Sequence, residues 1–441
     1  MNPVDHGSCG EPVQSPKMLR IGLLGLGNVG SAVVRNLQTA GADLARRAGM
    51  PLMLRRVAVA HLDRPRPVSI ERDLLTDDAW SVVRDPEADV VVELIGGIEP
   101  ACSYVLEALR LGKSVVTANK QLLANRGREL MEAAEASGVD LLFEGSVGGG
   151  IPIVRTIKES LAGDRVTEIV GILNGTTNYI LTRMGEEGLS FAEALSEAQR
   201  LGFAESDPTE DIEGHDAAAK LAILASAAFN SRVVRSDVHC EGISTITQRE
   251  VAYTRQLGYA LKLIAHARDR EGRIEAAVYP ALLPSGHPLA SVRYEFNGVW
   301  LRAEAAGELL LAGRGAGGDP TASAVLSDLV AVARNRRMRA HGRVPCTCFY
   351  DKPVVPRGEQ VTSACLVLRV VDRPGVFARI AAVFGEEQVS LHSIVQQSRG
   401  EEADVLLRTH PAPERALRAV LARLHTMEVV RGSSPLLRVI G

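Results

Sequence analysis

Cysteine is scarce: six residues in 441 are too few and too scattered to staple a disulfide scaffold. Only Cys346 and Cys348 lie close together. No second pair or histidine cluster follows at zinc-like spacing, so they read as reduced thiols. An excess of either charge is also missing. Fifty Lys plus Arg against 53 Asp plus Glu leave a net charge of −3, which removes the main reason to expect nucleic acid or an anionic membrane surface as a partner. No uninterrupted apolar run approaches the roughly 20 residues that span a bilayer. The first 17 residues lack the basic start and apolar stretch of a signal peptide, and their polar composition reads as a frayed tail, 1–17. These absences point to a soluble, cytoplasmic protein.

What remains is globular material, 46% apolar and 23% charged, long enough for about three domains. One residue type is over-supplied: 41 glycines. From residue 18 to 153, short Val-rich runs (19–27, 55–63, 88–97, 114–120, 139–146) alternate with helical stretches (30–47, with a break possible at Gly41, and 100–111). Such runs suit parallel strands buried on both faces, and the order predicts a Rossmann-type doubly wound sheet. Residues 154–340 mix helices (191–202, 214–229, 321–334) with strands (166–173, 275–281, 299–305) and read as α+β. Residues 341–360 hold three prolines and read as a linker. A compact β-α-β pattern over 361–441 forms a third unit, with strands at 362–372, 389–397 and 403–410 and helices at 375–387 and 414–424.

The glycines carry the first chemical signal. Gly25-Leu26-Gly27-Asn28-Val29-Gly30 follows a predicted strand and opens a predicted helix. In that setting Gly25 permits the tight turn, Gly27 lets the backbone approach a pyrophosphate, and Gly30 lets helix and strand pack closely. The helix N-terminus offers free N–H groups to the phosphates. The second strand is expected to end at Asp63-Arg64-Pro65-Arg66. Asp63 there would bind a ribose 2′-hydroxyl, whereas Arg64 or Arg66 would hold a 2′-phosphate, so NAD and NADP both stay open.

Ligands of open α/β sheets bind beyond the carboxyl ends of the strands, which singles out Gly96-Gly97 and Thr117-Ala118-Asn119-Lys120. Lys120 at such an end would lie near a nicotinamide and could polarise a carbonyl. Further on come Asn174-Gly175-Thr176-Thr177-Asn178 and an acid-rich tract with Glu205, Asp207, Glu210, Asp211, Glu213 and Asp216 before an apolar helix. Asp216 and Lys220 share one helix face; alone they look like a solvent-exposed ion pair worth a few tenths of a kcal/mol. Grouped acids would also bind an amino-acid ammonium, and an embedded lysine can be tuned for proton transfer.

The motifs GLGNVG (25–30), ELIGG (93–97), VTANK (116–120), FEGSVGGGIPI (143–153), GILNGTTNYIL (171–181), AESDPTEDIEGHDAAAKLAIL (204–224) and GAGGDPTASAVLSD (315–328) together resemble homoserine dehydrogenases of the longer bacterial type, with a C-terminal ACT domain. That resemblance implies NAD(P)-dependent interconversion of L-homoserine and L-aspartate 4-semialdehyde. It implies Lys220 as proton donor and acceptor, Lys120 beside nicotinamide and substrate, and Glu205 and Asp216 as the acids that hold homoserine. Main-chain oxygens of Glu144, Val147, Gly149 and Ile151 would bind a monovalent cation, usually Na+. Gly317 would return to the cofactor, so that residues near 315–340 complete the 18–153 domain. Many members carry arginine at the end of the second strand; His61 stands here, so a strong NADP preference does not carry over. Like-charge repulsion from Lys120 would lower the Lys220 pKa and the acids would raise it, an opposition expected to keep proton exchange possible near neutral pH. The ACT pattern rests on Asp372-Arg373-Pro374-Gly375 and the helix at 376–384, giving a ferredoxin-like βαββαβ domain that would bind threonine as feedback inhibitor. The family is dimeric or tetrameric, so a homodimer or homotetramer is expected. Two other readings stand beside this one. Aspartate-semialdehyde dehydrogenase would need a thiolate nucleophile, and neither Cys102 nor Cys240 has a convincing setting for one. A non-catalytic amino-acid sensor would not need the Lys120, Glu205, Asp216 and Lys220 set.

Overall fold

The computed structural model describes residues 18–342 and 344–440; the expected tail, 1–17, lies outside them. Six parallel strands form the first sheet: β1 (Leu19–Leu24), β2 (Leu52–Ala58), β3 (Leu75–Thr76), β4 (Val90–Glu93), β5 (Ser114–Thr117) and β6 (Leu141–Leu142). Their order is β3-β2-β1-β4-β5-β6. That order reverses beside β1, which opens a crevice at the carboxyl ends of β1 and β4. The Val90–Val92 run is wholly buried because helices cover both faces. These are α1 (Asn28–Ala48), α2 (Ala79–Val83), α3 (Ala101–Arg110) and α4 (Lys120–Ser137). Helix α1 loses helical geometry at Ala40, next to Gly41, where the sequence predicts a break.

After α5 (Ile153–Arg155) the chain enters a mixed domain. Its sheet comprises β7 (Val166–Ile172), β8 (His239–Cys240), β9 (Tyr259–Arg270), β10 (Arg273–Pro284), β11 (Phe296–Ala303) and β12 (Gly307–Arg314). Its helices are α6 (Gly175–Glu187), α7 (Phe191–Arg200), α8 (Thr209–Ile212), α9 (His215–Phe229) and α10 (Gln248–Gln256). Helix α9 is alanine-rich and buried almost throughout, because it lies directly on β7, β9 and β10. Helix α11 (Gly318–Met338) then returns to the first domain, where Ala322, Val325 and Leu329 share a core with Leu23, Val33 and Val116.

The C-terminal unit runs β13 (Val361–Val371), α12 (Val376–Glu386), β14 (Leu391–Arg399), β15 (Glu402–Thr409), β16 (Ala412–Pro413), α13 (Glu414–His425), β17 (Val430–Ser433) and β18 (Leu437–Val439). Its principal strands are ordered β18-β13-β15-β14, the ferredoxin-like βαββαβ arrangement. Strand β18 also pairs in parallel with β10, so one continuous sheet crosses from the mixed domain into the last unit.

Some expected boundaries need correction. The second strand stops at Ala58 rather than reaching Asp63, and residues 61–66 form a loop. The strand expected over 139–146 is only Leu141–Leu142, followed by a 3-10 turn at Glu144–Ser146. Strands β9 and β12 escaped prediction: β9 carries Lys262, His266 and Arg268, polar residues that obscure its apolar face.

Candidate active site

The glycine turn is built as its spacing requires. Gly25 has φ +97°, and a Cβ there would come within 2.8 Å of Leu94 O; one on Gly30 would meet Gly25 O at 2.2 Å. At Gly27, which caps α1, a Cβ would meet nothing within 4 Å, so this face of the backbone is open to a ligand. Leu26 is buried beneath the turn, while Asn28 and Val29 begin the helix. A cleft of about 630 Å³ lies over the turn, with His61, Arg64 and Arg66 in its far wall. Asp63 is outside that wall: its carboxylate pairs with Arg72 at 3.0 Å and is 91% exposed.

Glu93, wholly buried at the end of β4, ties the neighbouring strand ends together. One carboxylate oxygen accepts from the N–H groups of Ile95 (2.9 Å) and Gly96 (3.1 Å), and the other accepts from the Thr117 hydroxyl at 2.6 Å. Asn119 donates to Gly97 O at 2.7 Å and caps α4 by accepting from Leu122 N–H at 3.0 Å. The outcome of this framework is the placement of Lys120, first residue of α4, at the crevice.

From the mixed domain α9 brings Asp216 and Lys220 to the same place. Lys120 Nζ is 2.7 Å from Asp216 Oδ1, and Lys220 Nζ is 2.7 Å from Oδ2. The i,i+4 pair is therefore not solvent-exposed: Asp216 and Lys220 are 4% and 7% exposed. Lys220 also donates to Leu173 O at 2.8 Å. Asn174, the cap of α6, donates to Asp216 at 2.9 Å and Asp211 at 2.6 Å; Thr176 donates to Asp211 at 3.0 Å. Burial acts to raise the Asp216 pKa, but the two ammonium groups outweigh it and hold the carboxyl well below its ordinary range. Burial likewise opposes the charge on Lys120, yet Asp216 prevails and the net shift is upward, so this lysine stays protonated at neutral pH. Asp211 moves the other way, raised first by burial and then by Asp216. Glu205 is on the exposed loop before α8; only its main-chain carbonyl, accepting from Gln199, is engaged among the described residues.

The 144–151 segment lies where the two domains meet. The Glu144 carboxylate accepts from Val154 N–H (3.0 Å) and Arg155 N–H (2.8 Å), and Glu144 N–H donates to Asp328 on α11 at 2.8 Å. Val147 and Ile151 are buried, and Gly148 and Gly149 turn the chain with φ +73° and +52°. A Cβ on Gly149 would come within 2.7 Å of Gly315, so this turn and the 315–318 turn touch through bare backbone. Gly317 (φ +113°) caps α11, and a Cβ on Gly318 would lie 3.0 Å from Asn28 O, which places the later turn against the glycine fingerprint. No cluster of three or more His, Cys, Asp or Glu suited to a metal occurs among the described residues.

Sequence reasoning marked the Asn174–Asn178 motif but gave Asn174 no task, and it counted Asp211 only among grouped acids. Glu93 was quoted merely as part of a motif. All three act through buried side-chain hydrogen bonds between distant segments, which no local spacing reveals.

A doubly wound sheet with an open glycine turn, a lysine–aspartate–lysine cluster at its strand ends and an appended ferredoxin-like unit define a dinucleotide-dependent oxidoreductase with a regulatory type of domain. Family models agree: homoserine dehydrogenase, NAD binding domain, matches residues 25–144; homoserine dehydrogenase matches 152–330; and the ACT domain matches 366–428. The chain belongs to the homoserine dehydrogenase family. It is 46% identical to the homoserine dehydrogenase of Corynebacterium glutamicum over 95% of each chain. It superposes on the crystal structure of a homoserine dehydrogenase from Thiobacillus denitrificans with a TM-score of 0.90 at 41% identity, over 96% of this chain and 98% of that one. A hyperthermophilic archaeal homoserine dehydrogenase in complex with NADPH matches 71% of this chain and 97% of its own, with a TM-score of 0.61 and 27% identity.

Proposed function

We propose that this chain interconverts L-homoserine and L-aspartate 4-semialdehyde with Lys220 as the proton donor and acceptor, and that the Lys120–Asp216–Lys220 cluster is what carries the chemistry. A bound nicotinamide dinucleotide supplies or accepts the hydride. Lys220 protonates the alkoxide that develops as the aldehyde is reduced, and takes that proton back in the reverse direction. Lys120, held protonated, stabilises the same developing charge. Asp216 keeps both ammonium groups aimed at one point, and Glu205, free on its exposed loop, joins it in holding the substrate's ammonium group. The single supporting observation is the cluster itself: three charged side chains from two domains, joined by 2.7 Å contacts at the strand ends. Lys220→Ala is expected to fold, bind dinucleotide and lose on the order of 10²–10⁴-fold in kcat. Near-normal turnover would overturn the assignment.

For the cofactor we infer NADP(H). Arg64 and Arg66 stand in the cleft wall, while Asp63 is turned to Arg72. The 144–151 turn suits a monovalent cation: the Glu144 carboxylate is spent on amides, so main-chain oxygens of Glu144, Val147, Gly149 and Ile151 are the donors on offer, and they would hold Na+ and stiffen the domain junction. Threonine is the proposed ligand of the ACT domain, at the 372–375 turn, where Gln396 donates to Asp372 at 3.2 Å. Strands β12 and β14 end the long sheet, and β14 exposes Ile394 and Val395, which supports assembly as a homodimer or homotetramer. Partners are therefore small molecules and copies of this chain.

The thiolate requirement counts against an aspartate-semialdehyde dehydrogenase. Cys102 is buried, burial pushes the Cys240 thiol up to about 11, and Cys346 and Cys348 line a different cleft. The polar cluster counts against a sensor without catalysis, which has no use for two lysines on one buried carboxylate.

A further inference from the structure

A second cleft, about 850 Å³, lies away from the glycine turn, between the far ends of α4 and α9 and the segment that leads toward the ACT domain. Cys346, Cys348 and Lys158 all line it. The thiol segment is clipped to both helices. Cys346 N–H donates to Glu135 on α4 at 2.7 Å; Cys348 Sγ lies 3.7 Å from Ser226 O and the Thr347 hydroxyl 3.5 Å from Ala227 O, both on α9. Both thiols are partly exposed, on residues only two apart in the chain. Lys158 has no carboxylate partner among the described residues and stands over the Phe143 ring, 5.4 Å from its centroid. Two nearby, partly exposed thiols that share an open cleft with a lysine are in the setting of a reactive cysteine.

We propose that Cys346 and Cys348 form a thiol–disulfide exchange site, with Cys346 the attacking thiol and Cys348 the resolving one, and that its co-reactant is a low-molecular-weight disulfide. Cys346 thiolate attacks one sulfur of that disulfide, forming a mixed disulfide and releasing one thiolate. The Cys348 sulfur, losing its proton to solvent, then attacks Cys346 Sγ and releases the second thiol. Two protein thiols are oxidised to one disulfide and the reagent is reduced to two thiols, so atoms and electrons balance. The local charges favour this assignment of roles. The neighbouring Cys348 holds the Cys346 pKa down to about 6; burial opposes it, Lys158 assists and Glu135 opposes. Cys348 is driven upward by its Cys346 neighbour and by burial, with Lys158 and Arg232 pulling against them. The location matters as well. Helix α4 begins at Lys120 and α9 begins beside Asp216, so this segment grips the opposite ends of the two helices that carry the catalytic cluster.

The test treats the full-length protein with oxidised glutathione and locates modified cysteines by peptide mass. The wild type should accumulate a Cys346–Cys348 disulfide, while Cys348→Ser should stop at the glutathione adduct on Cys346. Cys346→Ser should react at least tenfold more slowly at Cys348. Thiol mapping of the wild type alone keeps the idea falsifiable should a variant misfold. Preferential adduct formation at Cys240, or no reaction at 346 and 348 when denatured protein reacts fully, would overturn it.

Discussion

Asp216 and Glu241 are both acids clamped by basic side chains, and in both these neighbours overcome a burial penalty to hold the carboxyl below its usual range. Their surroundings diverge. Asp216 is held by lysines, one of which has a side chain 38% exposed at the cofactor crevice. Glu241 is held by His239 at 2.9 Å and by two arginines, Arg418 and Arg438; Arg438, wholly buried on β18 of the ACT unit, contacts Glu241 with both terminal nitrogens and also Glu414, whose side chain is wholly buried. Arg357 and Arg438 lie over the Tyr279 ring, 4.8 and 5.2 Å from its centroid. An arginine cannot release its proton at any ordinary pH, but its planar fork makes a strong, oriented joint; a lysine is a point charge that can give a proton up. The first cluster is thus suited to chemistry and the second to joining two domains through the shared β10–β18 sheet.

That contrast can be broken experimentally. Arg438→Met removes the wholly buried cation between Glu241 and Glu414, leaving Arg357, Arg418 and His239 beside them, and should cost about 3 kcal/mol of stability, read as a lower denaturant midpoint, with kcat of the folded fraction little changed. Asp216→Asn takes the counter-charge from buried Lys220 and should also lower the midpoint, by about 3 kcal/mol, but unlike Arg438→Met it should cut kcat/KM roughly 10²-fold, about 2.7 kcal/mol of transition-state energy. A third buried acid sharpens the comparison. Asp328 faces Arg155 at 2.8 Å, yet burial raises its pKa to about 7. A folded-state pKa above the unfolded value near 3.9 means that its contribution is present at low pH and is lost as pH rises through about 7. Asp328→Asn should therefore flatten that decline and gain on the order of 1–3 kcal/mol over the wild type above pH 7, measured by melts across pH. The smallest effect belongs to the exposed loop: Arg64→Ala with Arg66→Ala should lower the NADPH-over-NADH preference about tenfold, worth roughly 1.4 kcal/mol.

How much of this was legible in the chain follows the range of each interaction. The glycine fingerprint and the Val-rich strands are local patterns, and their geometry matches the reading from spacing alone. Residues 61–66 lie off the strand although Val59 and Ala60 continue the apolar run past Ala58, with no turn motif to mark the strand's end. The Lys120–Asp216 contact joins residues of different domains; only the family resemblance put them together. Arg438 was invisible for the same reason. Nothing in a C-terminal Leu-Leu-Arg-Val-Ile run says that its arginine is wholly buried, and the 361–441 unit looked separate because sheet continuity through β18 has no sequence signature.

The lysine–aspartate–lysine cluster is proposed to work on an aldehyde beside a nicotinamide. It is tested most directly by following reduced-cofactor absorbance with the full-length protein, L-aspartate 4-semialdehyde, and NADPH or NADH in parallel. Substrate-dependent oxidation of the cofactor is expected, faster with NADPH. No oxidation of either cofactor by folded protein that binds them would contradict it.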